Sequence, residues 1–430
     1  CELLHFFVKG GNMQRIKRDI YLQRLIDREQ NGLVKIISGI RRCGKSYLLN
    51  TIFYGYLKEK GVQDDHIIRI SLDDDENSDL LLPKALSRHI KSLITDDKLY
   101  YVLLDEIQLA DNFVGTLNGL LKLPNIDIYV TGSNSKFLST DIVTEFRGRG
   151  DEVRILPLSF SEFMSVYNGS PMQGWKEYYT YGGLPLVLAQ KSEEAKMNFL
   201  KGQLKNVYRN DIIDRNRIEN ENQINVILEI LASSIGSLTN PLKLSNTFRS
   251  VTDLPVADKT VTKYLAYLED AFLIDKAKRY DVKGRKYLST PSKYYFTDLG
   301  LRNATLNFRQ QEENHIMENV IYLELLKRGF AVDVGIVETS KRNESGKVVR
   351  NYAEVDFIAS RGNNKFYIQS AFVMDTEERQ AQEKNSLLNI KDFFKKIIIV
   401  KDDIRRKRDE YGIITRSIYD FLLDEASLDY

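Results

Sequence analysis

An α/β fold built on a parallel sheet is predicted by three features of the sequence. Short apolar runs alternate with helical stretches from residue 33 to about residue 162, a glycine-punctuated loop leads from the first run into a helix, and strands return after residue 306. Strands separated by helices align in parallel and are covered on both faces. A length of 430 residues leaves room for about three domains. With 43% hydrophobic and 28% charged residues, the balance is that of a globular chain rather than a disordered one. The 62 basic residues are matched by 60 acidic ones, so nucleic-acid binding would need a local patch. Two cysteines, Cys1 and Cys43, exclude a disulfide scaffold, and His5, His66, His89 and His315 lack metal-ligand spacing. No apolar run approaches the roughly 20 residues that span a bilayer, so the cytoplasm is expected, with no membrane partner.

Residues 1–12, which begin without methionine, are expected to be an extension outside the fold. A charged amphipathic helix is expected over 13–29, and residues 33–38 read as the first buried strand. Residues 39–46 form a loop, and helical spacing resumes over 47–57. Further strands are expected at 66–72, 99–105 and 126–132. The acidic stretch 73–76 reads as a solvated turn at a strand end. Residues 174–217 look helical, interrupted by a turn at Tyr181-Gly-Gly-Leu-Pro. Helices follow at 225–235, 241–249 and 256–270, the last with Asp258 as candidate cap, and then a basic strand-like stretch at 281–296. The last strands are expected at 331–338, 353–360, 365–371 and 396–401, with 343–347 as the tip between two of them. Residues 401–408 read as a charged helix face, and Trp175 as a core residue.

Residues 39–46, Gly-Ile-Arg-Arg-Cys-Gly-Lys-Ser, fit G-x-x-x-x-G-K-[ST] between an expected strand and an expected helix. These residue types suit the grip of a polyphosphate. Gly39 and Gly44 let the loop wrap, so that Ile40, Arg41, Arg42, Cys43, Gly44, Lys45, Ser46 and Tyr47 surround phosphates at a helix N-terminus. Lys45 would neutralise β/γ-phosphate charge and the Ser46 hydroxyl would ligate Mg²⁺. The apolar run 99–105 ends in Asp105-Glu106. Asp105 would bind Mg²⁺ through water, and Glu106 would act as the general base that polarises the attacking water. Alone, such a run is an ordinary strand with a polar end. Joined to residues 39–46 at a separation that fits βαβ units, it points to hydrolysis. A third strand ends in Thr131-Gly-Ser133-Asn134, where Ser133 or, preferably, Asn134 would bond the γ-phosphate or the water. Arg147 and Arg149 on a glycine-rich loop read either as arginines reaching a neighbour's γ-phosphate or as structural, solvated side chains.

Together, residues 39–46, Leu104-Asp105-Glu106, Thr131-Gly-Ser-Asn-Ser, Arg147-Gly-Arg149 and Pro157-Leu-Ser-Phe-Ser-Glu-Phe163 resemble the AAA-type P-loop ATPases of bacteria and archaea. The resemblance is to the subgroup with an uncharacterised, restriction-endonuclease-like C-terminal domain, which Tyr181-Gly-Gly-Leu-Pro185 and Tyr208-Arg-Asn-Asp211-Ile also match. It implies an AAA-like core over 13–165, a helical lid over 166–220, ATP as the nucleotide and assembly into a homo-oligomer, at least with nucleotide bound.

Within 221–305 the order of three helices and a basic hairpin is that of a winged helix. Lys259, Thr260, Thr262 and Lys263 would start the recognition helix, and Lys283, Arg285 and Lys286 would sit on the wing against phosphates. DNA is then the candidate partner; the other reading is a module for subunit or protein contacts alone. Residues 306–430 resemble the PD-(D/E)XK nuclease layout in Glu318, Asp356 and Gln369. That chemistry needs clustered carboxylates for Mg²⁺ and a lysine to help activate water. Gln369 is neutral and Ala371 stands where the lysine belongs, so a degenerate nuclease-like domain is expected, with a displaced lysine such as Lys365 the only route to cleavage. The implied function is Mg²⁺-dependent ATP hydrolysis coupled to movement of a winged-helix and C-terminal module on DNA or another macromolecule. The alternatives are a slow nucleotide-gated switch for a protein partner, and a DNA-cleaving defence or repair nuclease.

Overall fold

The computed structural model describes residues 7–9, 12–14, 16–82, 84–132, 146, 148–310, 312–342 and 348–429. The chain divides into two units, Cys1–Leu158 with Leu184–Gln190, and Ser159–Gly183 with Lys191–Tyr430. Among the described residues no helix is long and apolar enough to cross a membrane.

The first unit opens with an antiparallel ribbon, β1 (Phe7–Lys9) and β2 (Asn12–Gln14), in which Val8 faces Met13. The helix expected over 13–29 is therefore shorter. It spans Asp19–Ile26, and Met13 lies in a strand. The Gly10-Gly11 dipeptide is a hairpin signal that the charged periodicity after it obscures. Five strands then form one parallel sheet: β3 (Val34–Ser38), β4 (Ile67–Ser71), β5 (Tyr100–Asp105), β6 (Ile126–Thr131) and β7 (Gly150–Arg154). Their order is β4-β5-β6-β3-β7. Every residue of β3 and β5 is buried, as their β-branched and apolar sequences require of central strands. Val34, Ile36, Val102, Leu104, Ile128 and Val130 pack with Ile90 of helix Ala85–Leu93 and with Leu117 and Leu120 of helix Phe113–Leu120.

A buried ion pair lies inside this layer. Lys35 on β3 is fully buried and paired with Asp127 on β6. Asp127 also accepts from the Tyr129 hydroxyl at 2.9 Å and the Gln30 amide at 3.0 Å. Such a pair is tolerated because additional donors and acceptors complete its hydrogen bonding. Strand β7 was not expected. Its sequence Gly-Asp-Glu-Val-Arg carries one apolar residue, yet it pairs with β3 from Val34↔Gly150 to Ser38↔Arg154. The acidic turn at 73–76 runs into a 3₁₀ segment, Asp75–Leu81, with Asp74 accepting from the Glu76 amide.

The second unit begins with two helices, Phe160–Val166 and Pro171–Tyr181, each opened by a capping box, Ser159 with Glu162 and Ser170 with Gln173. Trp175 is buried, with its indole N–H donating to Glu313 at 2.8 Å. The turn after Tyr181 has a tertiary cause. Gly182 has φ = 75°, and a Cβ there would stand 2.5 Å from the Asp298 carboxylate. The same carboxylate accepts from the Gly183 amide at 2.8 Å and caps helix Leu299–Thr305 through the Leu301 amide at 3.0 Å.

Helix Glu193–Asn206 continues as a π-helical segment, Val207–Asp214, and is followed by helices Glu221–Ser233, Pro241–Thr252 and Asp258–Asp270. Asp258 is the first helical residue, with Ala257 in the cap position expected for it. The remaining strands are β8 (Ile274–Asp281), β9 (Lys286–Phe296), β10 (Ala331–Arg342), β11 (Val348–Arg361), β12 (Asn364–Ala371), β13 (Lys395–Val400), β14 (Lys407–Arg408) and β15 (Ile414–Ser417). They form a single eight-stranded sheet in the order β14-β15-β13-β12-β11-β10-β8-β9. The basic hairpin β8–β9 is thus no free-standing ribbon: Val334 to Ile336 of β10 pair in parallel with Arg279 to Asp281 of β8. Residues 401–408, expected as a helix face, contain no helix and end in β14. The tip at 343–347 lies outside the described residues.

Candidate active site

The loop over 39–46 follows β3 and leads into helix Lys45–Tyr47, continued by a π-helical segment Leu48–Phe53 and by helix Tyr54–Glu59. Gly39 is required by shape: its φ is 145°, and a Cβ would meet the Ile155 carbonyl oxygen at 2.3 Å. The Lys45 side chain is 4% exposed, and its ammonium donates to the carbonyls of Gly39 and Ile40, both at 3.0 Å. It therefore closes the loop on itself, holding a positive charge at the mouth of the helix.

Parallel pairing brings the acidic pair to the same edge. β3, β6 and β5 are neighbours, so the loop after β3, Asp105 at the end of β5 and Thr131 at the end of β6 meet at their carboxyl ends. The Ser46 hydroxyl donates to Asp105 at 3.0 Å, and the Asn50 amide reaches its other oxygen at 3.2 Å. Burial pushes the Asp105 carboxyl above the usual carboxylate range, partly offset by bonds from Thr131 and Ser46. Glu106 is half-buried with a left-handed φ of 51°, a conformation uncommon outside glycine and frequent at functional sites. Its amide donates to the Thr131 hydroxyl at 3.0 Å, and its carboxylate accepts from Gln108.

Three contributors were not singled out from the sequence. Thr131 touches both acids, donating to Asp105 while accepting from the Glu106 amide. Asn50 lies four residues beyond Ser46, a helical spacing that could have flagged it. Gln108 follows Glu106 by two residues and carries no periodic signal. Beside the loop, Ile16, Arg18, Cys43, Gly44, Tyr47, Leu158 and Pro185 line a small, mostly apolar pocket. The Leu184–Gln190 segment supplies its Pro185, which the turn motif gave no reason to place against Gly44.

Ser133, Asn134 and Arg147 lie outside the described residues. Arg149 is exposed, and its backbone carbonyl accepts from the Val34 amide at the start of β3. The strand separates it from Gly39 by about 16 Å at roughly 3.3 Å per residue, so it does not join its own chain's loop. Lys259 and Lys263 are exposed on helix Asp258–Asp270, and Lys283, Arg285 and Lys286 are exposed around the β8–β9 turn, with Lys283 paired to Glu338 at 2.6 Å.

Glu318 and Asp356 do come together, on helix Glu313–Lys327 and on β11, but around a lysine that the sequence did not single out. Lys293 of β9 lies 2.7 Å from Glu318, 2.7 Å from Glu354 and 3.5 Å from Asp356. Gln369 instead accepts from the Asp356 amide at 3.4 Å and from the Ser386 hydroxyl at 3.5 Å. Lys365 stands over the rings of Tyr280 and Phe394.

Residues 31–164 match the family described as AAA domain, and residues 172–312 match a domain of unknown function, DUF8612. An uncharacterised protein of Haemophilus influenzae is 34% identical over 391 residues, covering 89% of this chain and 93% of that protein. An uncharacterised protein of Methanocaldococcus jannaschii is 29% identical over 396 residues, covering 88% and 82%. Among solved structures, the Aeropyrum pernix ORC1 protein in complex with DNA aligns at a TM-score of 0.32 and 11% identity, covering 68% of this chain and 93% of that one. That value marks a loose likeness.

Proposed function

This chain belongs to the family of the uncharacterised Haemophilus influenzae protein and carries an AAA domain, and from that premise we propose that it binds and hydrolyses Mg·ATP. The observation that carries the reading is the meeting of the 39–46 loop, Asp105, Glu106 and Thr131 at one edge of the parallel sheet. In this reading Lys45 leaves the Gly39 and Ile40 carbonyls for the β/γ-phosphates, and the loop amides bind the phosphate oxygens. The apolar pocket beside Gly44 and Tyr47 accepts the base. Ser46 and Asp105 form an oxygen-only donor set, which suits Mg²⁺. When bound, that ion would supply charge neutralisation at the phosphates. Glu106 takes a proton from the attacking water, and Thr131 holds its backbone while ordering Asp105. Asn134 is assigned to the γ-phosphate or the water, and Arg147 or Arg149 to a neighbouring subunit's nucleotide in a homo-oligomer.

The helices over 166–220 are assigned as a lid, residues 221–305 as a winged helix and 306–430 as a degenerate nuclease-like domain. The exposed Lys259, Lys263, Lys283, Arg285 and Lys286 support duplex DNA as partner, with a protein partner as the second choice. Lys45 folded onto its own loop and Glu106 held by Gln108 favour a slow basal rate that a partner stimulates. The test is phosphate release by the full chain with Mg²⁺, with EDTA, and with duplex DNA, alongside mass measurement with nucleotide. Release that requires Mg²⁺ and rises with DNA is expected; no release under any condition would sink the proposal.

DNA binding by the hairpin has its own check. Reversing Lys283, Arg285 and Lys286 to glutamate should weaken binding to all duplex sequences alike. The slope of log K against log salt should fall by roughly 2–3, about 0.9 for each phosphate that the variant no longer neutralises. An unchanged slope would leave the hairpin out of any DNA interface.

A further inference from the structure

The Lys293 cluster draws on three elements that are remote in sequence. Lys293 comes from β9, Glu318 from helix Glu313–Lys327, and Glu354 and Asp356 from the same face of β11, two residues apart. One carboxylate oxygen of each acid lies within 3.5 Å of the ammonium. The Glu318 oxygen that binds Lys293 also accepts from the Tyr295 hydroxyl at 2.5 Å, and the second Asp356 oxygen accepts from the Ser370 amide at 2.8 Å. Lys293, Glu318 and Asp356 are 3%, 8% and 8% exposed. A lysine this buried would lose its charge to desolvation, but the carboxylates of Glu318, Asp356 and Glu354 outweigh that cost and hold it ionised.

Three convergent carboxylates from a helix and a strand are the donor set of a hard divalent cation. Among the described residues, however, no group of three such side chains is arranged to hold a metal ion as it stands. The three oxygens stand 2.7, 2.7 and 3.5 Å from the Lys293 ammonium at their centre, outside the roughly 2.0–2.6 Å metal–oxygen distance of a Mg²⁺ or Ca²⁺ shell. We propose that Lys293 is a built-in cation occupying the place of a divalent metal, and that its removal turns the Glu318–Glu354–Asp356 pocket into a divalent-cation site. The ammonium thereby joins β9 to β11 and to helix Glu313–Lys327 without any ion from solution. It also makes metal-dependent cleavage at this pocket incompatible with the native side chain, whatever Gln369 and Ala371 contribute. The inference concerns the second unit alone and is independent of the nucleotide reading.

The test uses the full chain without nucleotide and Mn²⁺ as the probe, with bound metal read by electron paramagnetic resonance. Wild-type protein, Lys293→Met and Lys293→Met/Asp356→Asn are compared, so that any Mn²⁺ near Ser46 and Asp105 is common to all three. Lys293→Met should gain one site with a dissociation constant on the order of 10⁻⁴ M. Its Tm should rise in 1 mM Mn²⁺ by about 2–4 °C more than that of either of the other two proteins. An Asp356-dependent Mn²⁺ site in the wild type, Asp356-dependent cutting of DNA by the wild type, or a folded Lys293→Met that gains no site would each overturn the proposal. If Lys293→Met does not fold without metal, Mn²⁺ during expression should rescue it, and the Lys293→Met/Glu318→Gln/Glu354→Gln variant should fold metal-free. Failure of that pair of outcomes also counts against the proposal.

Discussion

Glu106→Gln should lower steady-state ATP hydrolysis by about 10²–10⁴-fold while leaving Mg·ATP affinity unchanged. The exchange keeps the size and the half-buried position of the side chain but removes the carboxylate that, in the proposed mechanism, takes the proton from water. Its neighbours are suited to such a substitution. The backbone is held by the Thr131 hydroxyl at 3.0 Å through the Glu106 amide, which the change does not touch. Gln108 donates to the present carboxylate and can donate equally to the amide oxygen. Affinity measured by a fluorescent nucleotide, and turnover by phosphate release, separate the two steps. Turnover that survives the change would move the base elsewhere; affinity that falls with it would mean that Glu106 holds nucleotide rather than water. In the switch reading there is little turnover to lose, so the wild-type rate measured alongside decides between the two.

Lys45→Ala should abolish nucleotide binding at ordinary concentrations. An ammonium about 4 Å from a phosphate charge contributes about 4 kcal/mol at an effective dielectric of about 20, a factor of roughly 10³ in affinity. The variant also loses two bonds to the Gly39 and Ile40 carbonyls, at 3.0 Å each. Circular dichroism melting must therefore accompany titration calorimetry. A Tm near that of the wild type with no heat of binding is the expected pair of results. Retained binding would show that the loop does not grip phosphate through this side chain.

The nucleotide loop and the acidic pair were legible because their signals are local. Residues 39–46 carry their chemistry in eight consecutive positions, and residues 99–105 announce a buried strand by apolar content alone. Strand β7 was not legible, since Gly-Asp-Glu-Val-Arg alternates nothing; its place comes from pairing with β3. Arg149 shows the same limit at the level of a site. Its glycine-rich setting suggested either a contact with a neighbour's phosphate or a structural role, and only parallel pairing shows that it stands at the far end of the strand that leads to its own chain's loop. Likewise, the basic hairpin was readable as two strands, but not as the edge of an eight-stranded sheet, because β8 finds its partner more than fifty residues away in β10.

The chain order of residues was enough to specify that a strand, a glycine loop and a helix start follow one another in the pattern suited to a polyphosphate, because those groups are bonded neighbours and their geometry follows from the backbone. What folding alone decided was which distant side chains share a point in space. Thr131 on Asp105, Pro185 beside Gly44, and Lys293 among Glu318, Glu354 and Asp356 are products of strand register and helix packing. No local pattern records them, since a carboxylate's partner is set by burial and distance rather than by separation along the chain.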